Sequence, residues 1–286
     1  MNRFKHFIPV YAWLAASLLH PARAAADDGP PPPKDWDFRV GAGTVYTPAF
    51  LGSKDYQLLL VPDLRVAYKD RFFLSEAEGM GYNVVNTDGW RFGPVARLAF
   101  ARNDNGNNPF RIAGPKSDAL VGLGNVSDTL ELGGFGGYTW KEWSALVEVR
   151  QGVNGHDGLI SDFSFNYTGD ISHAFYREGP PLILSLGPEA SLVDSKYNES
   201  YFGVNPQQSF HSGLPVYNDN GGLLKYGVAA TLIVPITYKI SATIVAGYAR
   251  LSGDAADSPL VTQRGSPNQA TISIFFSYEF GFNNKR

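Results

Sequence analysis

Apolar and polar residues alternate along most of the chain from Trp36 onward. Between Trp36 and Tyr46 the even positions hold Trp, Phe, Val, Ala, Thr and Tyr, whereas the odd positions are mostly charged residues or glycine. The same period of two recurs over residues 58–68, 90–100, 182–192, 225–234, 240–248 and 270–280. This period turns one face of a strand to an apolar medium and the other to a polar one. The pattern therefore predicts an all-β protein.

The length of these segments and their aromatic ends favour a membrane barrel over a soluble sandwich, which also alternates. The segments run about 10–14 residues, whereas a tilted membrane strand needs about 9–11 and soluble strands average about 5–6. Aromatic residues stand at the ends of the apolar stripes, as a membrane interface requires. Examples are the pairs Trp36 and Tyr46, Trp90 and Phe100, and Tyr138 and Trp140.

Short and long connections alternate between the predicted strands. The short turns are Lys69–Asp70, Asn86–Gly89, Lys141–Glu142, Glu178–Pro181 and Pro235–Tyr238. The intervening segments are Pro48–Asp55, a break at Glu78–Gly81, Arg102–Ser127, Gly152–Gly158, Asp194–Gly222 and Ser252–Pro267. Outer-membrane barrels have short periplasmic turns and long outer loops. We predict a closed antiparallel transmembrane barrel of about 12 strands, with residues 72–83 split into two short strands; counts of 10 or 14 also fit.

Composition narrows the class further. The 286 residues include 24 Lys+Arg, 27 Asp+Glu, 14% aromatic residues and no cysteine. So many aromatic residues exclude a disordered chain, and the missing cysteines exclude a disulfide scaffold. The net charge of -3 argues against a nucleic-acid partner. The mean hydropathy of -0.16 fits strands that face lipid on one side and a polar lumen on the other.

The first residues predict export. Arg3 and Lys5 precede a short apolar stretch, and Ala22-Arg23-Ala24 matches a signal-peptidase site. We therefore expect a signal peptide over residues 1–24. Residues 25–35 contain four consecutive prolines and are expected to form a periplasmic tether. The barrel would then occupy residues 36–286, in contact with outer-membrane lipid.

The polar faces of the strands carry charges of both signs. If the apolar faces meet lipid, these charges line the lumen, where they need partners because an isolated buried charge is costly. We therefore predict inward ion pairs in a narrow lumen. The candidate lumen residues are Asp37, Arg39, Asp63, Arg65, Arg91, Arg97, Glu131, Glu148 and Arg150.

Few residues indicate a catalytic or metal-binding site. His156 lies near Ser161 and Ser164, and a His–Ser pair on a barrel wall could serve a hydrolase. The favoured interpretation is a solvated loop histidine, because nothing beyond proximity supports a triad. Residues 103–108 resemble a calcium loop but lack its spacing, so turn chemistry explains them as well. We expect no catalytic residue, metal or cofactor.

Three loop motifs resemble those of a known family. Gly52-Ser53-Lys54-Asp55-Tyr56 is similar to its G-S-x-x-Y, and residues 253–261 are similar to its G-D-A-A-D-S-P-[IL]-V, which includes Ser258 and Pro259. A third stretch contains Tyr201, Phe202 and Gly203 followed by Ser212, Gly213 and Pro215. Along essentially the whole mature chain the sequence resembles the MipA/OmpV family of MltA-interacting outer-membrane proteins.

This resemblance implies an outer-membrane barrel. For some members it also implies a scaffold between a lytic murein transglycosylase and a penicillin-binding protein in peptidoglycan synthesis; other members are porin-like or adhesive. Our interpretation is a non-enzymatic scaffold, and the alternative is a narrow porin-like solute channel.

The predicted topology places all three motifs on the outer side, away from a periplasmic partner. The motif loops would then fold inward as a plug. In that arrangement we expect Asp254 and Asp257 to pair with Arg65, Arg91 or Arg97.

Overall fold

The computed structural model describes residues 35–175, 181–237 and 239–283. The predicted signal peptide and nearly all of the predicted tether lie outside these residues, as does most of the Glu178–Pro181 turn. The strands are β1 (Trp36–Pro48), β2 (Tyr56–Tyr68), β3 (Phe72–Ser75), β4 (Gly79–Tyr82), β5 (Val85–Thr87), β6 (Trp90–Ala99), β7 (Arg111–Ala113), β8 (Thr129–Trp140), β9 (Trp143–Val153), β10 (Leu159–Asp170), β11 (Ile183–Asp194), β12 (Gly221–Pro235), β13 (Ile240–Leu251) and β14 (Asn268–Phe282). The helices are a 3-10 turn at Ser172–Ala174, α1 (Ser195–Phe202), α2 (Pro206–Ser212), α3 (Gly253–Asp257) and α4 (Pro259–Arg264).

The sheet closes on itself. β1 pairs with β2 on one side and with β14 on the other, so that Trp36 lies opposite both Tyr68 and Phe282. Around the ring the order is β1, β2, β3, β4, β6 and β8 through β14, all antiparallel. The predicted barrel of 12 strands is confirmed, and β3 and β4 are the two short strands expected over residues 72–83.

The wall is irregular beside β2. The short β3 covers only the periplasmic half of β2, and β7 pairs with its outer half. Alternate residues of a strand direct their backbone groups to the same neighbour. On this edge the Leu60 amide donates to the Phe110 carbonyl, the Leu64 amide donates to Glu76, and Pro62 has no amide hydrogen. The edge therefore carries no free donor at these positions, as a bilayer requires.

The two faces of the wall differ as the alternation predicts. Apolar side chains such as Val40, Leu60 and Phe276 lie on the outside and are about half exposed, while Ser185 and Ser273 lie on the inside and are buried. At the periplasmic rim, aromatic rings of neighbouring strands contact one another, as Trp90 and Tyr138 do at 4.4 Å between centroids. Within the described ranges, no helix has the length and apolar character to cross a membrane.

Candidate functional site: a capped and charged lumen

Five outer connections meet above the barrel mouth, and together they are called the cap here. The cap comprises residues 49–55, 100–128, 154–158, 195–220 and 252–267. Three of its short helices, α1, α2 and α4, begin at residues whose side chains accept from free backbone amides. The Asp194 side chain accepts from the Tyr197 amide at the start of α1. At the start of α2, Asn205 and Gln208 form a capping box, with Pro206 in the first helical position.

The cap has an apolar core of its own. One cluster joins α1, α3 and α4 to the outer ends of strands, and its buried members are Ile160, Val193, Tyr197, Phe202, Leu224, Leu251, Ala255 and Val261. A second cluster joins the remaining loops, with Phe50, Leu120, Leu123, Val204, Leu214 and Leu260. Phe202 and Leu224 have no exposed surface at all. Segments from opposite sides of the barrel thus pack together across its outer mouth.

The three loop motifs that resemble those of the family lie in this cap and contact one another. The Ser258 hydroxyl donates to the Phe202 carbonyl at 2.6 Å, which fastens α4 to the end of α1. Gly52, with φ of 92°, lies where an added Cβ would be 2.9 Å from a methyl of Val261. Around these contacts the other motif residues lie in the cap or at its border: Ser53, Tyr56, Tyr201, Gly203, Ser212, Gly213, Pro215 and Pro259.

A network of buried charges lies beneath the cap. The Arg150 guanidinium contacts three carboxylates: Glu131 at 2.6 Å, Asp162 at 2.7 Å, and Glu148. Glu148 also accepts from Arg97, with 2.5 Å between Nε and Oε1. These side chains come from β6, β8, β9 and β10, so the network ties four strands together inside the lumen. Arg150 is only 3% exposed and compensates the charge of all three carboxylates, whereas Glu148 is also paired with Arg97.

The periplasmic half of the lumen holds the remaining predicted residues. Arg39 pairs with Asp63 at 3.2 Å, and Arg65 pairs with Glu78 at 2.9 Å. The Arg91 guanidinium lies 5.9 Å from the centre of the Phe135 ring. Asp37 is exposed to solvent. The structure therefore brings the predicted residues into two groups. One is a buried network below the cap, and the other is a more solvent-exposed group at the periplasmic end.

The expectation of a solvated His156 is wrong. The side chain is 2% exposed, its Nε2 lies 3.1 Å from Glu131, and its Nδ1 accepts from the Gly158 amide. Both ring nitrogens thus have partners other than Ser161 and Ser164. The loop folds over the lumen because Gly152 leaves room for the imidazole: a Cβ there would be 2.3 Å from the ring.

The expected pairing of Asp254 and Asp257 with lumenal arginines is also wrong. The Asp254 carboxylate accepts from the backbone and side-chain amides of Asn220, both at 3.0 Å. Asp257 is exposed. The reason is that α3 packs within the cap, while Arg65 and Arg97 are held by carboxylates deeper in the lumen.

The structural roles of some cap residues cannot be recognised from the sequence. Arg102 donates to the Tyr201 carbonyl and lies 5.8 Å from the Tyr201 ring centre. Burial lowers the pKa of Arg102 to about 10. Arg264 donates to the carbonyls of Ala119 and Ser212, which joins three loops. A loop arginine looks the same in sequence whether it is solvated or buried, so only the docked loops reveal these roles.

Residues 103–108 form turns. The Gly106 amide donates to the Asn103 carbonyl, and the Asn107 amide donates to the Asn105 side chain. In the part of the chain that the structure describes, no group of three or more His, Cys, Asp or Glu side chains is arranged to hold a metal ion.

Replacing His156 with alanine is expected to lower the free energy of unfolding by about 1–3 kcal/mol, because a buried carboxylate oxygen of Glu131 and the Gly158 amide lose their partner. Urea unfolding in detergent, followed by tryptophan fluorescence, measures this change. His211→Ala is the matched control, since His211 is exposed on α2. Equal midpoints for the two variants would contradict the structural role of His156.

A closed barrel with a lipid-facing apolar exterior and a charged lumen defines the chain as an outer-membrane β-barrel protein. The chain belongs to the MipA family, because the family model described as "MltA-interacting protein MipA" matches residues 40–280.

The chain is similar to two curated proteins of Escherichia coli. The chain is 24% identical over 246 residues to the MltA-interacting protein of Escherichia coli (strain K12). The aligned region covers 84% of this chain and 88% of that protein. It is 26% identical over 144 residues to the putative outer membrane protein YiaT of the same strain. That second match covers 49% of this chain and 54% of YiaT, so it spans about half the length of each.

The chain also matches solved structures at low sequence identity. A variant of OccD1 (OprD) has 9% identity and a TM-score of 0.35, covering 86% of this chain and 66% of that one. OprB of Pseudomonas putida has 12% identity and a TM-score of 0.37, covering 79% and 59%.

Proposed function

We propose that this protein is a non-enzymatic scaffold that anchors a lytic murein transglycosylase, and with it a penicillin-binding protein, at the outer membrane. The family description and one relative's name refer to interaction with MltA. The observation that carries the proposal is the cap: its apolar core covers the outer mouth, and the Arg150 network lies in the lumen below it. A barrel whose outer mouth is covered in this way is suited to anchor a partner at the membrane.

A periplasmic partner would meet the rim opposite the cap. Phe175, after the 3-10 turn between β10 and β11, is 70% exposed, and Ile236, after β12, is 53% exposed. Aromatic and aliphatic side chains that protrude from a rim are the kind that anchor protein interfaces. We infer that the partner contacts this rim.

Co-isolation from detergent extracts tests the scaffold. The wild-type protein is expected to recover a transglycosylase, and the Phe175→Ala/Ile236→Ala variant is expected to recover at least tenfold less, since loss of interface anchors costs about 2 kcal/mol or more. Phe210→Ala is the matched control, because Phe210 is 86% exposed on the opposite, outer side.

Deletion of residues 25–34 tests whether the segment preceding the barrel adds a contact. Recovery that survives both the rim substitutions and this deletion would contradict the periplasmic rim as the contact surface, because the partner would then bind elsewhere. If the wild type recovers no transglycosylase at all, the proposed partner is wrong.

A narrow solute channel is the second candidate. It is favoured by the small residues Gly247 and Ala249 on β13, which line a space in the lumen together with Glu189 and Lys225. Planar-bilayer recordings separate the two. The capped scaffold is expected to show no large, steady conductance steps, whereas stable steps from the purified protein would favour the channel.

A further inference from the structure

Asn198 and Asp219 form a buried pair in the cap, where α1 meets the segment before β12. Asn198 is 2% exposed and Asp219 is 1% exposed. The Asn198 amide donates to Oδ1 of Asp219 at 2.7 Å, and the Gly221 amide donates to the same oxygen at 3.1 Å. The other oxygen of each side chain, Oδ1 of Asn198 and Oδ2 of Asp219, is buried without a hydrogen-bond partner. Two unpaired acceptors on side chains that are already hydrogen-bonded to each other require an explanation.

The charges around this pair are negative. Glu199 on α1 and Asp254 on α3 act on Asp219, and burial together with these two carboxylates raises its pKa. Tyr217 donates its hydroxyl to the Asp254 carbonyl. Asp194, which caps α1, lies opposite Gly221 in the β11–β12 register, and Asp257 is at the exposed end of α3. A buried carboxylate in acidic surroundings favours its neutral form.

We propose that Asp219 is held as a carboxylic acid whose Oδ2 hydroxyl donates to Oδ1 of Asn198, so that an acid–amide pair latches α1 to the start of β12. One proton then satisfies both unpaired atoms. Two hydrogen bonds run in opposite directions between the same two side chains, from the amide to Oδ1 and from Oδ2 to the amide oxygen. When that proton leaves to solvent, two acceptor oxygens face each other in a buried site, and the latch opens.

The direction of the pH dependence follows from linkage. The pKa of Asp219 is raised in the closed cap by burial, whereas in the open cap it returns to about 3.9. The latch is therefore complete below the open-state pKa, and its contribution is lost as the pH rises through the closed-state pKa. Between the two, the equilibrium constant for opening rises by up to tenfold per pH unit and then levels off.

Hydrogen exchange on the full-length protein in detergent tests the latch. In the wild type, the protection factors of amides in α1 and in residues 217–221, corrected for intrinsic exchange, are expected to fall by up to tenfold per pH unit over this window. Asp219→Asn keeps a reciprocal amide–amide pair but cannot titrate, so its protection is expected to stay high and independent of pH. Asn198→Ala is expected to show low protection throughout.

Asp118→Asn is the matched control, because Asp118 is an exposed carboxylate of the same cap, and it should behave as the wild type. Two results would overturn the latch. The first is wild-type protection that does not change with pH. The second is wild-type protection that depends on added Ca²⁺ at constant pH and is lost in Asp219→Asn, which would mean that a cation, not a proton, joins the two oxygens.

Discussion

Replacing Arg150 with alanine is expected to lower the free energy of unfolding by about 3–5 kcal/mol, because the buried Glu131 and Glu148 and the partly exposed Asp162 then lose their shared cation. Glu131, Glu148 and Asp162 all contact this one guanidinium, which is 3% exposed. Urea unfolding in detergent measures the loss. Arg71→Ala serves as the matched control, since Arg71 is exposed at the periplasmic turn after β2. An Arg150→Ala midpoint equal to that of the control would show that the network contributes nothing to stability.

A second variant separates the unpaired charges from lost packing. Arg150→Ala combined with Glu148→Gln and Asp162→Asn removes the cation together with two of its carboxylates and leaves the packing defect of Arg150→Ala in place. Because a buried charge network can often be replaced by neutral groups at little cost, this variant is expected to recover most of the stability lost in Arg150→Ala. If the combined variant is as unstable as Arg150→Ala, packing of the arginine stem is the larger contribution.

Replacing Phe202 with alanine is expected to open the cap while leaving the barrel folded. Phe202 is completely buried, and truncation of a buried phenylalanine costs about 3–5 kcal/mol. At about 1.4 kcal/mol per factor of ten, the open cap becomes more than about a hundredfold more populated. Limited trypsin digestion at Lys196 and Arg264, both in the cap, measures this change as faster cleavage.

The matched control is Phe210→Ala on the next helix, where the ring is 86% exposed and its removal should leave cleavage unchanged. The heat stability of the barrel should also stay near that of the wild type, because Phe202 belongs to the cap core and not to the strand ladder. Cleavage of Phe202→Ala at the wild-type rate would contradict the cap as a cooperative closed unit. A rise in bilayer conductance in the same variant would locate the barrier to solute flow in the cap.

The transmembrane wall followed from local pattern. Side chains on a strand alternate faces whatever the strand pairs with, so the period of two identified the membrane strands and their lipid-facing side chains. The short segments at Phe72–Ser75 and Gly79–Tyr82 were predicted for the same reason, because a break in the alternation interrupts the strand. The motif segments pointed to the family that the matched residues 40–280 confirm.

The partners of the charged residues did not follow from the pattern. Alternation indicates that Glu131 and Arg150 face inward, but only the barrel register brings β8, β9 and β10 together so that one guanidinium reaches three carboxylates. His156 was expected in solvent and Asp254 in the lumen, and both expectations were wrong. Their surroundings depend on how loops from distant strands dock on one another, a property without a sequence period.

The sequence by itself thus determined the class of protein, the membrane-facing surface and the outer position of the motifs, because these depend on interactions between each strand and its medium. The packing of the cap across the outer mouth, the burial of His156 and the Asn198–Asp219 pair were decided by the tertiary structure alone. The physical reason is that contacts between segments separated by 20 to more than 200 residues, such as Gly52 with Gln269 at 3.0 Å, exist only after the barrel has closed and brought the loops together.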